Sequence, residues 1–350
     1  MERYYLNWFR QMERLSYSIY SKYSGRTYLF LLSSFISILF FSIGYIFYAL
    51  FMHSMLSRGQ AAITFSVPKN TTAAQFAHIL KIRHLLYSEN LLLFFIRMQG
   101  LAQQLKAGVY LISPGETVSQ FLYKVINGDG LILTLRIREG STVVQLKAEL
   151  LQTNFLSYDP KLWQFIAGPF KDAEGLFLAD TYNYKAGSTA RKLLTIANQH
   201  LWQFLNESWL NRDDSLPYKS PYELLIAASI IEKEAALAHE KKIIAGILAK
   251  RLQIRMPLQM DPTVIYALGF PSSKLTHSDL AIDSPYNTYQ HLGLPPTPIA
   301  MVSKETIYAT AHPEHSNFLY FVAKGDGSHH FSATYAEQKQ AVFRFQKPQC

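Results

Sequence analysis

Apolar residues fill one uninterrupted stretch near the start of the chain. Residues 27–57 contain no Lys, Arg, Asp or Glu, and the segment TYLFLLSSFISILFFSIGYIFYALFM lies within them. At about 1.5 Å per residue, a helix of this length crosses a hydrocarbon layer about 30 Å thick. A cleaved signal peptide would have a shorter apolar region followed by a small-residue cleavage site. The pattern therefore predicts a single transmembrane helix over residues 27–53.

Beyond this span, shorter apolar patterns switch between a period of two and a period of 3.6. AAITFSV, AGVYLIS and ILTLRI are typical of strands, whereas TTAAQFAHILKI, SENLLLFFIRMQ and SPGETVSQFLYKVING predict helices. EGSTVVQLKAELLQ predicts another helix, with Ser141 or Thr142 as its N-cap. Because helices and strands interleave unevenly, we expect an α+β fold. We place a small α/β subdomain at residues 59–135 and a larger mixed α+β domain at residues 136–350.

The most helix-like segment of the body is SPYELLIAASIIEKEAALAHEKKIIAGILAKRLQ. Ser220 is a good N-cap for it, Pro221 suits the first helical position and Glu223 is expected to complete a capping box. Four apolar residues spaced along one face of this helix predict its contact with the core: Leu224, Ala228, Ile231 and Ala235.

The same segment carries three glutamates, Glu232, Glu234 and Glu240. Glu232 and Glu234 are two residues apart, about 200° around a helix, so they cannot act as a facing pair. A carboxyl bordered by small apolar residues would have a raised pKa and could act as an acid near neutral pH. Alternatively, the glutamates form a solvated face that pairs with Lys233 or Lys241. The pattern alone does not separate Glu232 from Glu234.

Composition and charge exclude several classes of protein. Charged residues are 17% of the chain and aromatic residues 14%, which excludes a disordered chain. The net charge is +9, but no dense basic block is present, so we do not expect nucleic-acid binding. Residues 1–26 hold five basic and two acidic residues, and they precede the apolar span. We therefore expect this arm in the cytoplasm and the body outside the inner membrane.

Metal, disulfide and cofactor chemistry has little support in the sequence. The one cysteine, Cys350, excludes an internal disulfide framework. His312, His315, His329 and His330 lack the helical spacing of a metal site, so no metal is predicted. The chain has no Walker, nucleophile-elbow or dinucleotide glycine motif, and no cofactor is predicted.

The C-terminal half contains several long motifs in a familiar order. IIEKEAA is followed by LAKRLQIRMPLQMDPTVIYALG, SPYNTYQHLGLPPTPIA and LYFVAKGDGSHHF. In order and spacing these resemble the YceG-like endolytic murein transglycosylases, over roughly residues 65–345. LKAGVYLISPGETVSQFLYKVINGDG is more loosely similar to the family's LysM-like subdomain. The resemblance implies a LysM-like subdomain at residues 59–135 and a YceG-like catalytic domain at residues 136–350.

The resemblance also implies site residues. The family's catalytic acid is the second glutamate of its E-K-E motif, which is Glu234 here. The family's cleft-lining positions fall on Gln259, Asp261, Thr263, Tyr286, Asn287, Tyr289, Pro295 and His329. Three positions depart from the family pattern. Leu176 and Ala179 replace a tryptophan and a proline, a change expected to weaken sugar stacking at one subsite, and Met260 stands where a small polar residue is common.

The activity implied by the resemblance is cleavage of the β-1,4 bond between N-acetylmuramic acid and N-acetylglucosamine without water. The expected product has a 1,6-anhydromuramyl end, and the expected setting is the periplasmic face of the inner membrane, with peptidoglycan synthases as partners. Two alternatives stay open. One is a hydrolytic muramidase in which Asp261 or Glu240 positions water. The other is a non-catalytic peptidoglycan-binding scaffold. The intact E-K-E segment argues against it, because binding alone does not require a carboxyl at that position.

Overall fold

The structure is a computed structural model that describes residues 25–52, 54–269 and 275–346. Nearly all of the predicted cytoplasmic arm, residues 1–26, lies outside the described residues. The chain divides into two compact units, residues 1–131 and 132–350. The division falls before the segment ILTLRI, because this segment forms a strand that pairs within the second unit. The predicted boundary lies four residues later, after residue 135.

A long helix, α1 (Gly25–Met52), begins the described part of the chain. Its segment Thr27–Tyr48 is apolar and none of it is buried against the rest of the protein. The helix is therefore long and apolar enough to cross a membrane, as the sequence predicts.

The remainder of the first unit is a two-stranded antiparallel sheet covered by three helices. In chain order the elements are β1 (Ile63–Val67), α2 (Ala73–Ile82), α3 (Glu89–Met98), β2 (Gly108–Ile112) and α4 (Val118–Asn127). Each was predicted from its apolar period. The rings of Phe65, Phe76 and Phe121 meet in the core, with Phe65 and Phe121 5.4 Å apart. The LysM-like character of this unit stays a prediction.

The second unit is a mixed α+β assembly that joins short sheets to a cluster of helices. Its strands pair as β3 (Ile132–Arg136) with β5 (Thr181–Lys185), β4 (Leu156–Ser157) with β6 (Ser188–Thr189), and β7 (Tyr320–Ala323) with β8 (His329–Ser332). The β4–β6 pair is parallel and the other two are antiparallel. Its helices are α5 (Val143–Gln152), α6 (Leu162–Ala167), α7 (Ala190–Leu210), α8 (Pro221–Glu234), α9 (Ala238–Gln253), α10 (Asp261–Leu268), α11 (His277–Leu280), α12 (Lys304–Ala311) and α13 (Tyr335–Gln346). Thr142 is the N-cap of α5.

Helix α8 lies at the centre of this unit, in contact with α7, α9, α10 and α12. Leu224, Ala228, Ile231 and Ala235 are buried, which confirms the predicted core stripe. The burial is wider than a stripe, because every residue of α8 from Leu224 to Ile231 is buried. A helix enclosed on all sides can hold a side chain at its end in a fixed position.

The predicted helix over residues 220–253 is two helices, so the expectation of a continuous helix is wrong. Ala235, the residue after α8, has an extended backbone with φ −88° and ψ 108°, and α9 begins at Ala238. The predicted capping box is also incomplete. Ser220 Oγ accepts from the Glu223 amide at 3.2 Å, but the Glu223 carboxylate accepts from the amide of Lys219. The break leaves Glu234 as the last residue of its helix.

Helix α9 passes very close to the segment before β7. Glu314 donates its amide to the carbonyl oxygen of Lys242 at 3.0 Å. A Cβ atom on Gly246 would lie 2.3 Å from the carbonyl oxygen of Glu314. Only glycine fits this contact without moving the backbone.

Candidate active site

Glu234 lines a cavity of about 220 Å³ in the second unit. The cavity wall combines the end of α8, the last turn of α9, the start of α10, the β7–β8 hairpin and α13. Its polar lining residues are Glu234, Arg251, Gln259, Asp261, Tyr289, His329, Gln338 and Gln346. Four of the residues implied to line the cleft, Gln259, Asp261, Tyr289 and His329, therefore share one cavity with Glu234.

The Glu234 carboxyl in this cavity has a strongly altered proton affinity. Its pKa is raised to about 7, first by burial and then by the negative charge of Asp261, while the Arg251 guanidinium acts in the opposite direction. Among the described residues none donates a hydrogen bond to this carboxyl. At neutral pH a large fraction of Glu234 is therefore protonated.

Arg251 places a buried positive charge on the wall of the same cavity. It lies in the last turn of α9 and is fixed by two backbone carbonyls, with Nε donating to Leu319 at 2.8 Å and Nη1 donating to Leu258 at 2.5 Å. Burial lowers the pKa of Arg251, but the group stays cationic. Because the guanidinium forms no ion pair with Glu234, it limits the rise of the Glu234 pKa without removing the proton.

Asp261 and Tyr289 form a second polar pair in the cavity. The Tyr289 hydroxyl donates to Asp261 Oδ1 at 2.5 Å. Burial and this hydrogen bond raise the pKa of Tyr289, so its hydroxyl keeps its proton. Asp261 is thus oriented by Tyr289 and lies near enough to Glu234 to affect its proton affinity.

His329 is held in the cavity wall by a buried carboxylate. Glu240 Oε2 lies 2.7 Å from His329 Nδ1, and Glu240 Oε1 accepts from the His329 amide at 2.9 Å. Glu240 is 2% exposed, which excludes the interpretation of this residue as part of a solvated face. Because both of its oxygens are bound to His329, Glu240 fixes the ring at the start of β8.

Glu232 has quite different surroundings from Glu234. Its Oε2 accepts from the amide and the hydroxyl of Ser303, at 2.8 and 2.7 Å, and its Oε1 lies 3.2 Å from Lys241 Nζ. Burial acts to raise the pKa of Glu232, but hydrogen bonds from Thr306 and Ser303 and the Lys241 charge together lower it. The sequence pattern alone did not separate Glu232 from Glu234 as the candidate acid, and their surroundings do. Glu232 is ionised and anchors α12, whereas Glu234 faces a cavity.

The other implied cleft residues lie outside the Glu234 cavity. Thr263 is buried, and its Oγ1 lies 2.9 Å from Oγ1 of Thr288. Asn287 is also buried, and its side-chain amide donates to the carbonyl oxygens of Leu280 and Ile282. These two residues hold the loop that carries Tyr289. The Tyr286 hydroxyl is within 2.9 Å of Thr297 Oγ1, and Pro295 lines a separate cavity beside α8.

Comparisons with known proteins show the family of this chain. The sequence profile of the YceG-like family matches residues 65–344, well over half of the chain. The chain belongs to the YceG-like family. Its relatives include an endolytic murein transglycosylase of Bacillus subtilis, 27% identical over 314 residues, which are 82% of this chain and 85% of that protein.

Two further proteins are similar to this chain over most of its length. An endolytic murein transglycosylase of Streptococcus pneumoniae is 26% identical over 327 residues, covering 80% of this chain. This chain spans 58% of that relative's length. A crystal structure of a yceG-like protein from Listeria monocytogenes is 29% identical and covers 81% of this chain and 99% of its own, with a TM-score of 0.49.

Sequence reasoning did not identify Arg251 as a site residue of this YceG-like chain. It considered Glu240 as part of a solvated face or as the group that positions water in a hydrolase, and it did not predict that Glu240 holds His329. One signal was available for Arg251, since it follows Ile244, Ile247 and Leu248 on the buried face of α9. An arginine at that position must find partners inside the protein. Glu240 carried no comparable signal, because its partner His329 is 89 residues away in sequence.

The departures from the family pattern lie in the core. Leu176 and Ala179 are buried, and the intervening Phe177 is buried too. In the same segment, Glu174 is 4% exposed and accepts hydrogen bonds from the Val143 amide and the Tyr266 hydroxyl. Burial raises the pKa of Glu174 to about 7, and these hydrogen bonds oppose the rise. Sequence reasoning did not identify this second unusual carboxyl.

Proposed function

We propose that this chain is an endolytic peptidoglycan lytic transglycosylase that cleaves the β-1,4 bond between N-acetylmuramic acid and N-acetylglucosamine. One observation carries the proposal: Glu234 is a carboxyl with a pKa of about 7, without a hydrogen-bond donor among the described residues, in a polar cavity. The names of the Bacillus and Streptococcus relatives support the same activity.

The reaction uses Glu234 twice. As the bond between C1 of the muramyl sugar and the leaving oxygen breaks, Glu234 gives its proton to that oxygen. The 2-acetamido oxygen of the substrate stabilises the developing positive charge at C1. The C6 hydroxyl then attacks C1 and passes its proton to Glu234, which closes the 1,6-anhydro ring and restores the acid. A pKa near the working pH suits a group that must both donate and accept a proton.

The arrangement of the other carboxylates favours this route over hydrolysis. A hydrolase usually employs a second carboxylate as a nucleophile or as the base for water. Glu240 is unsuited to that task because both of its oxygens are bound to His329. Asp261 is exposed, but one of its oxygens accepts a hydrogen bond from the Tyr289 hydroxyl. The intramolecular C6 hydroxyl removes the need for a second base.

The remaining cavity residues would bind the sugars. Gln259, Tyr289 and His329 offer hydrogen-bonding groups to hydroxyl and acetamido substituents, and Arg251 offers its remaining N–H groups to oxygens near C1. Thr263, Tyr286, Asn287 and Pro295, which are also implied to contact substrate, would act through the loop that carries Tyr289 or at more distant sugars.

The apolar helix gives the activity a location. We propose that α1 anchors the chain in the inner membrane, with the N-terminus in the cytoplasm and both units in the periplasm. The active site would then act on glycan strands as they emerge from synthesis, and peptidoglycan synthases would be its partners.

The test is to incubate the full chain in detergent with purified peptidoglycan and to identify the product ends by mass spectrometry. Glu234→Gln is the inactive variant, and Glu174→Gln is the matched control with an equally raised pKa outside the cavity. We expect internal fragments with anhydromuramyl ends from the wild type and the control, and none from Glu234→Gln. Ends that are heavier by one water would move the protein to the hydrolases, and binding without products would favour the scaffold.

A further inference from the structure

Helix α3 in the first unit has an apolar face turned away from the core. Leu92 and Ile96 are buried on the inner side of the helix, whereas Phe94 is 58% exposed and Met98 is 72% exposed. On a helix of about 100° per residue, Leu91, Phe94 and Met98 lie within an arc of about 60° on the side away from Leu92 and Ile96, and Phe95 lies at the edge of this arc, partly buried against the core. We call Leu91, Phe94 and Met98 the outer face of α3. An apolar face of this kind on a small unit indicates a contact with something other than water.

The outer face of α3 adjoins the apolar helix α1. The Phe95 ring lies 5.8 Å from the ring of Phe47. Phe47 is in the last turn of the apolar segment Thr27–Tyr48, so the contact lies at the level where this helix would leave the hydrocarbon layer. Phe94 and Met98 are therefore held close to the lipid headgroups whenever α1 crosses a membrane.

A cavity of about 420 Å³ lies where the chain leaves α1. Ser54, Met55 and Ser57 line it together with Lys81 and Tyr87. Lys81 Nζ donates to the carbonyl of Tyr87 at 2.7 Å, and the Tyr87 ring is exposed. A lysine and an exposed tyrosine are the residue types that accumulate at a membrane interface, where the cation meets phosphate and the ring meets the acyl boundary.

We propose that the outer face of α3, together with Tyr87 and Lys81, lies in the interfacial region of an anionic phospholipid bilayer. Phe94 and Met98 enter the boundary between headgroups and acyl chains, and Lys81 meets the lipid phosphates. The first unit is then held to the membrane at two places, α1 and the outer face of α3, so that it cannot rotate freely about the end of α1. This inference rests on the proposed membrane anchoring by α1.

The test measures the depth of single labels on the full chain in lipid nanodiscs containing about one quarter phosphatidylglycerol. In a Cys350→Ser background, nitroxides are attached after Phe94→Cys, Met98→Cys, Phe40→Cys or Lys69→Cys. Phe40 reports on α1. Lys69 is the aqueous control, because it is exposed and follows the end of β1 that lies furthest from Ser54. Relaxation enhancement by oxygen and by a water-soluble nickel chelate gives the depth of each label.

We expect the Phe40 label to be deepest, the Phe94 and Met98 labels to lie a few ångströms below the phosphates, and the Lys69 label to lie in water. Labels at Phe94 and Met98 that match Lys69, while Phe40 stays in lipid, would overturn the inference and leave the anchor intact. Low accessibility of Phe94 and Met98 to both reagents would overturn it as well, since a protein partner would then cover the face. A Phe40 label in water would instead overturn the anchor itself.

Discussion

Two carboxyl groups in the second unit, Glu174 and Glu234, have the same raised pKa of about 7 and quite different surroundings. Glu174 is enclosed and accepts hydrogen bonds from Val143 and Tyr266. Glu234 lines a cavity and has no hydrogen-bond donor among the described residues. Burial raises both pKa values, but of these two carboxyls only Glu234 lines a cavity described among residues 25–52, 54–269 and 275–346. A raised pKa therefore marks a candidate acid, and access to a cavity distinguishes a catalytic group from a structural one.

The largest expected difference between the two groups is in activity. Glu234→Gln should lower peptidoglycan cleavage by about 1,000-fold or more, because the amide cannot donate the proton to the leaving oxygen. Glu174→Gln should change it by no more than a few fold. The measurement is the rate of release of anhydromuramyl products at pH 6.5. Equal losses in the two variants would mean that the enclosed carboxyl also takes part in the reaction.

Loss of the neighbouring Glu232 should lower the free energy of unfolding. Glu232→Ala removes a buried partner of Lys241 and two hydrogen bonds to Ser303, which should cost about 3 kcal/mol in the free energy of unfolding. The control is Glu305→Ala, which removes the exposed partner of the same lysine and should cost less than about 1 kcal/mol. Urea denaturation measures both. A small effect of Glu232→Ala would contradict its role as the anchor of α12.

The enclosed carboxyl should make the stability of the protein depend on pH. Because the folded-state pKa of Glu174 is raised from 4.5 to about 7, its contribution is fully present below pH 4.5 and is lost as the pH rises through about 7. Glu174→Gln cannot ionise. We expect it to be more stable than the wild type at pH 8 by up to about 3 kcal/mol, with little difference at pH 4.5. Thermal denaturation at both pH values checks this, and a pH-independent difference would refute the assignment.

The smallest effect concerns the charge beside Glu234. Asp261→Asn keeps an oxygen to accept from Tyr289 and removes the negative charge that raises the pKa of Glu234. That pKa should fall, so the active acid form is lost at a lower pH. We expect the alkaline limb of the profile of kcat/KM against pH to move down by less than one pH unit. An upward movement would be inconsistent with Asp261 acting through its charge.

Local patterns predicted the fold well where the determining contacts are themselves local. The elements of the first unit follow from their apolar periods, and in the structure Thr72 and Thr117 cap two of its helices. The break after Glu234 did not follow, because residues 235–238 are Ala-Ala-Leu-Ala, which are good helix formers. Tertiary packing around Ala235 overrides that preference.

The candidate site was predictable only in part, for a similar reason. The family resemblance pointed to Glu234, and the helical wheel alone left Glu232 equally possible. What separates the two is a set of distant partners, since Ser303 is 71 residues from Glu232. Likewise, Asn287 and Thr263 have residue types suited to sugar binding, yet their hydrogen bonds fold the loop. Residue type indicates which hydrogen bonds a group can form and leaves its partners undetermined.

Gly246 allows the close contact between α9 and the backbone of Glu314, and the geometry of the cavity depends on this contact. It lies in α9 six residues after Glu240 and five before Arg251, and its missing side chain leaves just enough room for the backbone of Glu314. A methyl group at this position would displace α9, and the side chains of Glu240 and Arg251 would move with the helix. His329 would follow Glu240. The positions of residues in the cavity wall therefore depend on a glycine that lies outside the cavity, because that position has a hydrogen atom in place of a side chain.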